Sequence, residues 1–135
     1  MSTYADLIRG WFTKGNSDLG TAELVAHSNG PYDTACFHAQ QAAEKYLKGY
    51  LSFLQQPFPF THNLEQLELI CKTANPAFDL GLCDVTILTP YAVQLRYDAA
   101  FWPDQATALE AMAIANQVRT VILALVPQAL HPNNP

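Results

Sequence analysis

The chain has 135 residues, 50% of them apolar and 14% charged, with 7 basic against 12 acidic side chains and a formal net charge of −5. Such a length and composition fit one folded domain with a sizeable core and exclude a disordered chain. The acidic balance argues against a general binder of nucleic-acid backbone, while leaving room for a local cationic groove.

No uninterrupted apolar run reaches the roughly 18–20 residues of a membrane span. The opening MSTYADLIRGWF lacks the basic and apolar regions of a secretory signal. Cys36, Cys71 and Cys83 show no CxxC spacing, which speaks against a disulfide framework or structural zinc. The expectation is a cytoplasmic protein with buried, reduced thiols, no metal and no cofactor.

In chain order, Tyr4, Leu7, Ile8, Trp11 and Phe12 recur at helical spacing, continued by Leu19, Ala22, Val25 and Ala26. The pattern predicts one long helix from about Thr3 to His27. Lys14-Gly15-Asn16 is the place where it would bend or break, and Ser28-Asn29-Gly30-Pro31 ends it. A second helix is predicted from Asp33, as N-cap, to Gln55-Gln56, spanning roughly 33 Å. Pro57 and Pro59 then impose a stiff loop. Thr61 or Asn63 starts a third helix, with Leu64, Leu67, Leu69, Ile70 and Cys71 on its apolar side, and Asn75-Pro76 stops it. After a connector at 77–83, a fourth segment is capped by Asp84 or Thr86. It carries Val85, Ile87, Leu88, Tyr91, Ala92 and Leu95, and Pro90 moves its proper start to Thr89, with Val85 to Leu88 as a separate turn. Asp104 caps a last, alanine-rich helix running to about Leu125, where Pro127 halts it. These elements predict an all-α helical bundle over residues 1–127, followed by a loose tail at 128–135.

The second helix has two faces. Ala39, Ala42, Ala43, Tyr46, Leu47 and Tyr50 form its apolar side. His38, Gln41, Lys45 and Lys48 form a polar stripe at i, i+3, i+7 and i+10. The stripe holds an imidazole, an amide and two ammonium groups, all able to donate to an anion or a nucleotide. Ordinary roles compete with that reading. The stripe can be a solvated face, Glu44 and Lys48 form a favourable exposed pair, and His38 can be an interfacial histidine.

Two further sets stand out. Thr61-His62 serves either as a cap with a first-turn histidine or as donors to a phosphate or carboxylate. Arg96 can face a helix dipole, pair with Asp98, or clamp a phosphate. Tyr97, Phe101 and Trp102 around it suit base stacking or a dimer contact. P-loop, GxGxxG and HExxH motifs are absent, and the four histidines have no metal-binding spacing.

The run FHAQQAAEKYLKGYL, then THNLEQL, then YAVQLRYD, resembles the HEPN domain family. The likeness rests on Gln41, Glu44, Lys45 and Lys48, on Thr61, His62 and Leu64, and on Arg96 and Tyr97, in that order along the chain. It implies an antiparallel up-and-down bundle of four to five helices. It also implies a homodimer, partnership with a minimal nucleotidyltransferase, and a groove for a nucleotide or RNA. Toxin-like members of the family are metal-independent ribonucleases that use an arginine followed, after four to six residues, by a histidine. Here Arg96 is followed at those positions by Phe101, Trp102 and Pro103, Arg9 by Lys14, Gly15 and Asn16, and Arg119 by Ala124, Leu125 and Val126. The ribonuclease motif is missing.

The expectation is therefore a non-catalytic binding module whose groove is lined by His38, Gln41, Lys45, Lys48, His62, Arg96 and Tyr97. The alternatives are a ribonuclease with a displaced histidine, drawn from His38 or His62, and a purely structural interaction protein.

Overall fold

The computed structural model describes residues 3–133. Among these it contains four α-helices, α1 (Tyr4–Ala26), α2 (Tyr32–Phe53), α3 (Leu64–Ala74) and α4 (Gln105–Leu125), with short 3-10 turns at Val85–Ile87, Thr89–Tyr91 and Gln128–Leu130, and no strand. The fold is an all-α bundle. α1 begins with a reciprocal capping box, in which Thr3 accepts from the Asp6 amide and Asp6 accepts from the Thr3 amide. It runs unbroken through Gly15 and Asn16, as the single long helix predicted. Both residues are buried because the chain uses them to approach α2. A Cβ on Gly15 would lie 2.7 Å from Tyr46 Cε1, and one on Gly49 would lie 2.6 Å from Phe12 Cε1. The Tyr46 hydroxyl donates to Asn16 Oδ1 at 2.6 Å, and Arg119 Nε from α4 donates to the same oxygen at 2.9 Å. Three helices thus meet at Asn16.

α2 starts two residues earlier than predicted, after Pro31, and no side chain caps it, so Asp33 lies inside its first turn. At its far end the Gln56 amide donates to Leu51 O at 2.9 Å, with Gln55 at φ 55°, the left-handed turn that closes many helix ends. The Tyr4 hydroxyl, at the start of α1, donates to Phe53 O at the end of α2, so the two helices are antiparallel. Gln105 at the start of α4 donates to Ala26 O at the end of α1, which makes that pair antiparallel as well.

α2 is the central element, packed against α1, α3, α4 and the Thr89–Tyr91 turn. Its fully buried Ala39, Ala42, Ala43, Tyr46 and Leu47 meet Ile8 and Phe12 of α1 and Ala108, Ala111, Ala115 and Val118 of α4. Small side chains at these positions let the helix axes come close. α4 reaches a mean hydropathy of 1.3 over a membrane-length window. Its buried apolar side belongs to this core.

Of the two starts open for the third helix the structure takes the later one. α3 is capped by Asn63, whose side chain accepts from the Gln66 amide, and Thr61 turns back on the Asn63 amide. His62 therefore precedes the helix. Val85–Ile87 form the separate turn expected, but residues 89–97 form a second 3-10 turn and open turns in place of a helix. Asp84 caps the first, and Thr89 pins the second to α3 by accepting from the Leu64 amide and donating to Glu65. Residues 128–133, expected to be loose, fold back on α1. Arg9 donates to Ala129 O, and the Asn133 amide donates to Thr13 Oγ1 at 3.1 Å. The last two residues of the predicted tail lie outside the described region.

Candidate functional site

The polar stripe of α2 divides between two carboxylates. The first is Asp18 on α1. His38 Nδ1 lies 2.8 Å from Asp18 Oδ1, and Lys45 Nζ donates to Oδ2. An ionised carboxylate only accepts, so Nδ1 carries a proton and donates a hydrogen bond to Asp18. Asp18 is mostly buried, and it holds both partners where α1 meets α2.

The second carboxylate is Glu44, on α2 itself. Its Oε1 accepts from His62 Nδ1 at 2.8 Å and from Gln40 Nε2 at 3.2 Å, and its Oε2 accepts from Lys48 Nζ at 3.0 Å. Gln40 also donates to His62 O, and Gln41 donates to Gln40 Oε1 at 2.7 Å. The pair Glu44–Lys48 is not the exposed pair expected from the sequence. Glu44 is 6% exposed and Lys48 5%. Their charges are tolerated because each is matched by the other and by neutral donors and acceptors around it. Phe60, 94% exposed, covers the ammonium of Lys48 at 5.5 Å and meets the His62 ring edge-on at 6.0 Å.

Arg96 stands apart from both centres. Among the described residues it makes no ion pair. Its guanidinium lies over the Phe37 ring at 4.1 Å and beside the Tyr97 ring at 5.7 Å, and Tyr97 is 77% exposed. Asp98, a sequence candidate for pairing with Arg96, instead accepts from the Ala100 amide at 2.8 Å. No helix ends at Arg96, so the dipole role also falls away. Phe101 stacks on Tyr91 at 5.6 Å, and the Trp102 indole donates to Ala99 O, so neither is held against the arginine.

A cavity of about 220 Å³ is lined by Asp33, Thr34, Phe37, His38 and Arg96. Within it Asp33 Oδ1 is buried without a hydrogen-bond partner. The structure thus brings His38 and Arg96 to one cavity. Lys48, His62 and, through Gln40, Gln41 gather at Glu44, while Lys45 turns to Asp18 and lines a different cavity with Lys14 on α1. The seven residues predicted from the sequence do not share one groove. Sequence reasoning missed Asp18, Gln40 and Phe37. Only the negative sign of Asp18, set against a stripe of donors one helix away, hinted at the first.

A family model for the HEPN domain matches residues 8–125. No curated protein matches the chain, and no solved structure matches it.

Proposed function

Because the chain belongs to the HEPN domain family, we propose that it is a cytoplasmic, non-catalytic binding module that takes RNA or a nucleotide on the face around Arg96. The observation that carries this reading is the guanidinium stacked on Phe37 with no carboxylate partner among the described residues, beside an exposed Tyr97 and above a cavity shared with His38. A cation of this kind attracts phosphate, and an exposed aromatic ring offers a face for a base. The stripe ammonium groups are ion-paired, Lys45 with Asp18 and Lys48 with Glu44, whereas Arg96 has no ion pair among the described residues, which makes it the better donor to a ligand on this face. Arg96→Ala is expected to weaken binding of a short single-stranded RNA about tenfold in fluorescence anisotropy, since a hydrogen bond to a charged group is worth roughly 1.5–3 kcal/mol. Unchanged affinity in that variant would sink the reading. With so few cations engaged, the salt dependence should also be shallow. Homodimer formation and a minimal nucleotidyltransferase partner belong to the same proposal, and light scattering and co-purification test them.

One observation favours cleavage as a second reading. His38, oriented by Asp18 through Nδ1, lines the same cavity as Arg96. In that reading Arg96 supports the phosphate and the imidazole moves a proton to or from the ribose hydroxyl. His38→Ala would then abolish RNA cleavage while leaving Arg96-dependent binding in place. Absence of any cleavage by the unaltered protein would rule this reading out.

A further inference from the structure

A larger cavity, about 800 Å³, is lined by the first half of α1, Lys45 of α2 and Asn133, and shares no residue with the cavity at Arg96. Its volume falls in the range of roughly 300–1,000 Å³ typical of small-molecule sites. Arg9, Lys14 and Lys45 line it, three of the chain's 7 basic residues, in a protein whose net charge is −5. That concentration sets the sign of the ligand. Lys14 is exposed and makes no ion pair among the described residues, so all three of its N–H groups are available. Lys45 commits one donor to Asp18, which keeps its ammonium at the cavity wall with two in reserve. Arg9 is held by Asp6 and by Ala129 O, and two of its five N–H groups remain. Trp11, half-buried and set edge-on against Phe58 at 6.4 Å, supplies a fixed flat ring. Gly10 is exposed between these side chains, and a Cβ there would touch nothing within 4 Å. Gly20 is equally open, so the glycine alone carries no weight, but it offers a clean way to fill the floor.

We infer that this α1 cavity is a second ligand site, for a phosphorylated small molecule bearing a flat ring. The phosphate would engage Lys14, Lys45 and Arg9, and the ring would lie against Trp11. Asp6 and Asp18 offset two of the three cations, so the site suits a singly phosphorylated ligand better than a long polyanion.

The test uses a Trp102→Phe background, which leaves Trp11 as the chain's only tryptophan. Adenosine monophosphate should quench Trp11 fluorescence saturably, while adenosine and inorganic phosphate bind at least tenfold more weakly. Gly10→Leu should keep or raise the unfolding midpoint and cut affinity for the monophosphate at least tenfold. Lys14→Glu, an exposed change, should do the same without altering the fold, and Arg96→Ala should leave this binding intact. The inference is overturned if the monophosphate does not bind or if neither α1 variant weakens it. Equal binding of inorganic phosphate, or loss of binding in Arg96→Ala, would overturn it too. None of these outcomes depends on RNA binding at Arg96.

Discussion

Glu44 and His62 lie 2.8 Å apart, Oε1 to Nδ1, and this contact ties the loop that leads into α3 to the middle of α2. Glu44 is at once the counter-charge of Lys48 and the acceptor of Gln40, so the loop's position depends on one buried carboxylate. A buried ion whose partner is removed costs far more than an exposed one.

Glu44→Ala is therefore expected to destabilise the protein by roughly 3–5 kcal/mol, because it strands Lys48 and Gln40 in the interior. Lys45→Ala should cost about 1 kcal/mol or less, since its pair with Asp18 is open to water on one side. Urea unfolding of the two variants side by side checks the order. Equal losses would mean that Glu44 is not the hub described.

Gly15→Ala should destabilise by about 1–3 kcal/mol, because the added Cβ would drive into the Tyr46 ring. Gly10→Ala, in the same helix with nothing near the new methyl, should stabilise by up to ~1 kcal/mol. Opposite signs for the same substitution five residues apart, read by denaturant midpoints, would identify packing as the cause.

Acid sensitivity should arise in part at the start of α4. The Thr107 backbone amide, and then its hydroxyl, hold the Asp104 carboxylate below its ordinary value of 3.8. The folded state thus prefers the charged form. The stabilisation is complete above the unfolded value and is lost as the pH falls through the lower folded value. Asp104→Asn keeps a capping oxygen without the charge, so its unfolding midpoint should fall less steeply than that of the unaltered protein between about pH 5 and pH 2. Identical slopes would exclude a contribution from this cap.

The thiols should be inert in the folded protein. Burial pushes Cys36 and Cys83 up to about 11 and Cys71 up to about 12. Cys83 is only half-buried, contrary to the expectation of three buried cysteines, and yet it stays protonated. Iodoacetamide at about pH 8 should modify none of the three until denaturant is added. Fast reaction at Cys83 in native buffer would contradict that assignment.

Much of the bundle was legible in the residues. Ile8 with Phe12, Ala39 with Ala42, Ala43 and Tyr46, and Val118 with Ile122 and Leu123 mark three long helices by their spacing, and all are buried, whereas Ala106 and Ala113, counted among the apolar positions of the last helix, are exposed. Residues 89–97 differ from the expected helix for a physical reason. Val85, Leu88, Tyr91 and Ala92 are buried, and the spacing of three between the first three is the period of a 3-10 helix, which a helical template accepts with little penalty. The candidate site was legible in composition but not in partnership. A donor stripe on one helix does not say which carboxylate of another helix it meets, and both Asp18 and the buried role of Glu44 depend on tertiary packing.

The two glycine notches carry a mechanical consequence. Tyr46 of α2 seats against Gly15 of α1, and Phe12 of α1 seats against Gly49 of α2, so each helix carries both a peg and a socket. Sliding in either direction along the shared axis would drive a ring into backbone. The two notches therefore fix the register of α1 on α2 and oppose sliding of one helix along the other.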